Sequence, residues 1–249
     1  MLKILDLEAI CAEAAKVSAP VLVDNTFASP YFQRPLDLGA TLSLSSTTKY
    51  VNGHSDSLGG VVVTNDAEWN DRMIFAQKAV GLNPSPFDAW LVSRGVKTFA
   101  LRMRQHHENA LEIATRLEDC RAVRWVRHPF LPSHPHHAIA RRQMSGGSGI
   151  VTLELDADLE ATKDFVSGLE LFALAESLGG IESLVDHPAS MTHASIPRPE
   201  REKVGILDGL VRLSVGVEHV DDLIGDLDRG LRRAGLPPLL ENQGANVDL

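Results

Sequence analysis

SSTTKYVNGHSDSLGG, residues 45–60, is the stretch on which the fold reading turns. It starts where ATLSLSS (residues 40–46), an alternating apolar and polar run, gives way to a polar cluster. The alternation predicts a strand, and the abrupt polar end predicts a loop at its carboxyl terminus. Just downstream, GGVVVTND (residues 59–66) reads as another strand. Upstream, PVLVDNT (residues 20–26) carries three consecutive apolar residues followed by Asp24, Asn25 and Thr26. A continuous apolar run with a polar end predicts a parallel strand covered on both faces. In open α/β sheets, ligands bind outside the carboxyl ends of the strands. Asp24 and Lys49 both occupy such ends, so a carboxylate and an amine are expected to converge on one crevice. Either residue alone would read as a solvated surface group. The pair, flanked by hydroxyls, is what points to chemistry.

Further out, the chain predicts an amphipathic helix ending near Lys16, with Ile4, Leu7, Ile10, Cys11 and Ala14 on its apolar side. Helical sequence dominates residues 67–118, interrupted at GLNPSPFD (residues 81–88), where Pro84 and Pro86 break a regular helix. Arg and His are expected on the polar side of its second half, with His106 and His107 solvated. From Val123 short apolar runs (AVRWV, SGIVTLEL, LVRLSV) alternate with helical ones (LEATKDFVSGLELF, VDDLIGDLDRGLRRAG), an α+β pattern. The expected division is residues 1–105 in one domain and 106–249 in a smaller α+β domain.

The 249 residues are 44% hydrophobic and 23% charged, which suits a globular protein with a real core. No apolar run reaches the roughly 18–20 residues that span a membrane, and the N-terminal stretch does not read as a signal peptide. A net charge of -9 argues against a broad nucleic-acid surface. Two cysteines, Cys11 and Cys120, are too few and too far apart for a disulfide framework or a zinc site, and read as buried, reduced thiols of a cytoplasmic protein. His128, His134, His136 and His137 form a histidine-rich stretch, but without Cys, Asp or Glu at ligand spacing, so no metal is expected. MSGGSG (residues 144–149) lacks the spacing of either common phosphate-binding glycine motif and reads as a turn.

Pyridoxal phosphate (PLP) chemistry uses the combination found at the two strand ends. It needs an amine for the cofactor aldehyde, a carboxylate for the pyridine nitrogen, and hydroxyls for the phosphate. Lys49, Asp24, and the pair Ser46 and Thr48 can fill those roles. On an extended segment Ser46 and Thr48 would point to the same side.

The segments VDNTFASPYFQRPLDLGA (residues 23–40) and SSTTKYVNGHSDSLGG then become specific. With Asp24-Asn25-Thr26-Phe27 and with Ser46, Thr48, Lys49, Tyr50, Gly53, His54 and Asp56, the chain resembles the Cys/Met-metabolism family of PLP enzymes. That family comprises cystathionine γ-synthases, γ-lyases and β-lyases, methionine γ-lyases and O-acylhomoserine sulfhydrylases. The resemblance continues through residues 85–103, 134–155, 175–194 and 211–227. It implies the aspartate-aminotransferase-like α/β fold, with PLP as cofactor and Lys49 as its attachment point and proton carrier. It further implies Asp24 facing the pyridine nitrogen, Ser46 and Thr48 on the phosphate, and Arg212 on the substrate α-carboxylate. Ser177 would lie beside the lysine and the carboxylate, and Thr192 would help to position Arg212.

The implied activity is elimination or replacement at the γ-carbon of a sulfur amino acid, cystathionine or an activated homoserine. The AESLGG segment (residues 175–180), with Glu176, resembles γ-synthases and γ-lyases more than β-lyases. The implied assembly is a homotetramer built from dimers. One departure stands out: family members carry a further N-terminal portion ahead of the position of Met1. For a chain of these residues alone, that predicts an exposed sheet edge at the first strand, weak cofactor affinity, and weak or no activity. A non-catalytic remnant that acts only as an assembly partner is the competing expectation.

Overall fold

Two sheets organise residues 1–240, the part of the chain described by the computed structural model. Helix α1 (Leu7–Ala15) starts where Asp6 accepts the N–H of Ala9, and it buries only Leu7 and Cys11. Strand β1 (Leu22–Asp24) and the short α2 (Ser29–Phe32) precede β2 (Leu42–Ser46). Residues Thr47–Val51 then close a single π-type turn, and β3 (Gly60–Val63) follows. The sheet order is β1-β2-β3, with β1 parallel and β3 antiparallel to β2. Asp24 pairs in register with Leu44, two residues before β2 ends at Ser46.

The expectation of a doubly covered β1 is not met. Leu22 is 51% exposed, because β1 pairs only with β2 and no helix of the described residues covers its outer face. β3 is exposed at every position. Helix α3 (Ala67–Val80) buries no residue, and α4 (Pro86–Gly95) buries only Gly95. Val61, Phe75, Phe87 and Trp90 therefore face solvent in this chain.

The second sheet holds the main core. After a 3-10 turn at Val96–Thr98, α5 (Phe99–Glu118) leads to β4 (Val123–Arg127), α6 (His137–Gln143), β5 (Ile150–Leu155), α7 (Leu159–Ser167), β6 (Ala173–Leu174), β7 (Leu184–Asp186), α8 (Arg198–Lys203), β8 (Leu210–Ser214) and α9 (Val220–Arg233). Strand order is β4-β5-β8-β7-β6, antiparallel except for β6 with β7. β5 is buried at all six positions. Ile113 and Leu117 of α5, Phe165 of α7, and Leu223, Leu227 and Leu231 of α9 pack on one apolar cluster with Val151, Leu153, Val211 and Leu213. Leu223, Leu227 and Leu231 recur every fourth residue, the spacing that keeps one helical face on a core. Asp226, fully buried on that face, accepts the N–H groups of Glu170, Leu171 and Phe172 and so ties α9 to the chain before β6.

The polar side assigned to α5 needs correction. Arg102 and His106 are buried, and His107 is half-buried. Arg104, Gln105, Glu108, Thr115 and Arg116 keep one side of α5 in solvent, whereas Arg102 and His106 lie on the sides that pack against the Lys49 turn and the second sheet. His106 Nδ1 bonds the carbonyl of Val215 at 2.7 Å, and burial pushes its pKa down to about 4. His128 is pushed down to about 3 by burial and by the neighbouring His107, whose ring stacks on it at 5.5 Å. His134 and His136 bond Leu2 and Ile4 and fasten the N-terminal segment. The histidine-rich stretch thus serves packing and chain-pinning.

These buried histidines make stability depend on pH. The folded state holds His106 neutral, whereas the unfolded chain protonates it near 6.5. Between those values the unfolded chain binds more protons, so stability is complete above pH 6.5 and falls as pH drops toward 4. His106 alone contributes on the order of 3 kcal/mol over that window. Denaturant unfolding at stepped pH checks this, and His106→Gln flattens the slope.

Candidate active site

Lys49 sits in the π-type turn directly after β2. The turn is closed by the Asn52 N–H donating to the Thr47 carbonyl at 3.0 Å, and Lys49 itself departs from helical geometry (φ −90°, ψ −134°). That departure aims its side chain away from the turn and toward the segment before β7. There Lys49 Nζ donates to Ser177 Oγ at 2.9 Å. The Ser177 carbonyl in turn accepts from Arg212 Nη2 at 3.2 Å. One serine thus touches both the amine and the guanidinium. Burial, and then the positive charge of Arg212, hold the Lys49 amine below the ordinary lysine range. A lysine so placed has more of its amine in the neutral, nucleophilic form.

Arg212 lies mid-way along β8, opposite Thr152 on β5 and Asp186 on β7. Its Nη2 approaches the Asp186 carboxylate at 3.4 Å, and that carboxylate is 2% exposed. Neither Asp186 oxygen has a hydrogen-bond donor, and Arg212 Nε has no acceptor, among the described residues. Burial raises the Asp186 pKa, and Arg212 opposes that rise. Asp186 was not singled out from the sequence. Its only signal there was a carboxylate ending the short apolar run before His187, a pattern also shown by many surface turns.

A cleft of about 470 Å³ joins these groups to the first sheet. Its walls include Asp24, Asn25, Ser148, Asp186, Thr192 and Arg212, and residues Met1–Leu5 also border it. Lys49 lies beyond this wall and reaches it through Ser177. Asp24 is exposed, and its Oδ1 accepts the N–H of Thr26 at 3.0 Å. Thr192 hydrogen-bonds His193 Nδ1 at 2.7 Å. It therefore shares the cleft with Arg212 without bonding it.

The hydroxyl pair is arranged differently from the extended-segment expectation. β2 ends at Ser46, and the chain coils immediately afterwards, so the period-two rule stops applying before Thr48. The Ser46 N–H donates to Thr26 Oγ1 at 2.8 Å, which ties the two strand ends together. Thr48 Oγ1 accepts the Gly59 N–H at 3.0 Å, so it reaches a phosphate only by sharing or yielding that bond.

Glycine shapes the approach of the two halves. Gly179 has φ +79°, and a Cβ there would stand 2.9 Å from the Tyr50 nitrogen. Gly179→Ala is expected to destabilise the protein by about 2 kcal/mol or more, from the left-handed backbone together with the overlap. A denaturant titration reads this directly.

A carboxylate and an arginine on one cleft, with an amine of lowered pKa linked to that arginine through Ser177, suit amine–carbonyl chemistry on an amino acid. The family model for Cys/Met metabolism PLP-dependent enzymes matches residues 1–232. A cystathionine β-lyase of Lactococcus lactis subsp. cremoris is 52% identical over 233 residues, which is 94% of this chain and 61% of that protein. A cystathionine γ-lyase of Dictyostelium discoideum is 48% identical over 231 residues, 93% of this chain and 60% of its own length. Among solved structures, cystathionine γ-synthase of Xanthomonas oryzae pv. oryzae, in complex with aminoacrylate and cysteine, superposes with a TM-score of 0.90 at 50% identity. That match covers 94% of this chain and 60% of the solved one. The chain belongs to the Cys/Met metabolism PLP-dependent enzyme family. Its fold is the mixed α/β fold of these relatives, and it spans about three-fifths of their length.

The residues present fit that cofactor. The lowered Lys49 amine would suit an aldehyde, the exposed Asp24 carboxylate at the end of β1 would suit a ring nitrogen, and Ser46 and Thr48, at and just after the end of β2, would suit a phosphate. The unpartnered Arg212 Nε and Asp186 oxygens give the cleft wall charged groups that a bound zwitterion can meet.

Proposed function

We propose that the protein acts in PLP-dependent elimination or replacement at the γ-carbon of a sulfur amino acid, with cystathionine or an activated homoserine as substrate. One observation carries this: Ser177 links the Lys49 amine to the Arg212 guanidinium, so a base and a carboxylate anchor lie within one serine of each other. Bound PLP supplies an electron sink for breaking bonds at the substrate α-carbon.

The chain's own residues do the rest. Arg212 offers its open donors to the substrate carboxylate, and Asp186 holds the guanidinium from behind. That anchor sets the α-carbon near Lys49 Nζ, which in its neutral form takes the α-proton and can return it to a neighbouring carbon. Ser177 Oγ orients the amine for both transfers. Asp24 keeps the pyridine nitrogen protonated, and Ser46 and Thr48 take the phosphate. Thr192, on the cleft wall, orders the substrate side of the Arg212 pocket.

In this reading, residues 1–105 are part of the cofactor domain and 106–249 form the small domain. No helix among the described residues is long and apolar enough to cross a membrane. The proposed location is the cytoplasm. The proposed assembly is a homotetramer of dimers, and the exposed apolar residues of β3, α3 and α4 support further packing on that side.

The test is incubation of the protein with PLP and L-cystathionine, reading free thiol and α-keto acid. Product above the background of the Lys49→Ala protein is expected. Wild-type protein that carries cofactor yet forms neither product would overturn the proposal.

A further inference from the structure

We propose that Tyr50 is a positioning residue whose buried hydroxyl pins the Lys49 turn to the strand that carries Arg212, fixing the spacing of amine and guanidinium. This deepens the reading of Lys49 and Arg212 given above and rests on it.

Tyr50 is 1% exposed, and its ring meets His106 edge-on at 5.1 Å. A ring wanted only for packing would lack the hydroxyl, because a buried hydroxyl is costly unless bonded. This one is bonded to two segments of the second sheet. It accepts the Gly149 N–H at 3.1 Å and pairs with the side chains of Ser148 and Ser214. Ser148 and Gly149 lead into β5. Ser214 ends β8, two residues beyond Arg212, and its Oγ also accepts the Gly179 N–H at 2.9 Å. Gly179 lies two residues beyond Ser177. The contacts close a ring: Lys49 to Ser177, Ser177 to Arg212, along β8 to Ser214, and through Tyr50 back to Lys49.

The pin is needed because the π-type turn does not itself fix Lys49, whose backbone departs from helical angles. From the opposite side Arg102 donates to the carbonyls of Tyr50 and Val51 at 2.7 and 3.1 Å, so the turn is held at both ends. The charged and titratable groups around the pin are Arg102 and His106 from α5, Arg212 from β8, and Lys49 itself.

The test uses the full 249-residue chain without cofactor. Reductive methylation is followed against pH and mapped by peptide mass in wild type, Tyr50→Phe and Ser214→Ala. Exposed lysines such as Lys97 in the same sample serve as internal standards. In wild type the Lys49 midpoint lies below theirs. In both variants it rises toward them by about one pH unit, as solvent and altered spacing relieve its environment. The thermal midpoint falls by only a few degrees, as for one lost buried hydrogen bond. A Lys49 profile that already matches the standards in wild type, or that stays unchanged in folded Tyr50→Phe, overturns the proposal. If Tyr50→Phe fails to fold, Ser214→Ala decides by the same criterion. No cofactor or substrate enters this assay, so its failure leaves the proposed reaction standing, and failure of the reaction leaves this result intact.

Discussion

Replacing Lys49 by alanine lowers turnover of a sulfur amino acid by about 10³-fold or more. Two roles proposed for Lys49 would disappear together: the amine that meets the cofactor aldehyde, and the base that moves the α-proton. Positioned general-base catalysis alone is worth about 10²–10⁴-fold. The structural cost is small, because Lys49 is only partly buried and its side chain makes one hydrogen bond, to Ser177. Circular dichroism and the thermal midpoint should therefore match wild type while the rate collapses. Lys49→Arg keeps the positive charge and the reach toward Ser177 but offers no neutral amine, so it should be as inactive as the alanine variant. Recovery of activity in Lys49→Arg would show that charge, rather than nucleophilicity, is what the site requires.

Replacing Arg212 by alanine raises KM for the amino-acid substrate by about 10²-fold or more. Truncating one partner of a buried charge pair costs about 2–5 kcal/mol, part of it from stranding the other partner. Here the stranded group is Asp186, buried beside Arg212 and already raised in pKa by that burial. Without the guanidinium its pKa climbs further. The native state then holds a proton that the unfolded chain releases, so stability is lost as pH rises through the folded pKa and recovered as pH falls. The stability deficit of Arg212→Ala relative to wild type should thus shrink toward low pH. Arg212→Lys should recover only part of the binding, because an ammonium cannot reproduce the planar fork. Steady-state kinetics and paired unfolding curves at two pH values check both parts.

The first sheet and the site differ in how far they were legible in the sequence. Asp24 and Lys49 were candidates from the sequence because a carboxylate and an amine, flanked by hydroxyls, follow two apolar runs, and such strand ends mark the ligand side of an α/β sheet. Arg212 could not be found that way. In an alternating strand it reads as a solvent-facing residue, and only the resemblance to a family singled it out. Asp186 was missed because a buried carboxylate at a strand end looks in sequence like any turn acid. His106 was misjudged for a related reason. Helical periodicity places Arg104, Gln105 and Glu108 in solvent correctly, but His106 lies on the side of α5 that packs on the second sheet, where its ring meets the backbone of Val215 rather than water. Thr48 was placed by a strand rule that ceased to hold two residues earlier, at the onset of the π-type turn. The apolar runs of β1 and β3 were read correctly as strands. Their burial depends on what packs against them, which the local pattern does not carry.

The central claim is that Lys49 is the amine at which PLP attaches. The most direct measurement adds PLP in excess to the purified chain, reduces with borohydride, and maps the adduct by peptide mass alongside the visible spectrum. The account predicts a yellow band abolished by borohydride and one dominant adduct, on Lys49. Labelling spread over exposed lysines such as Lys16, Lys78 and Lys97, with Lys49 unmodified, would contradict it.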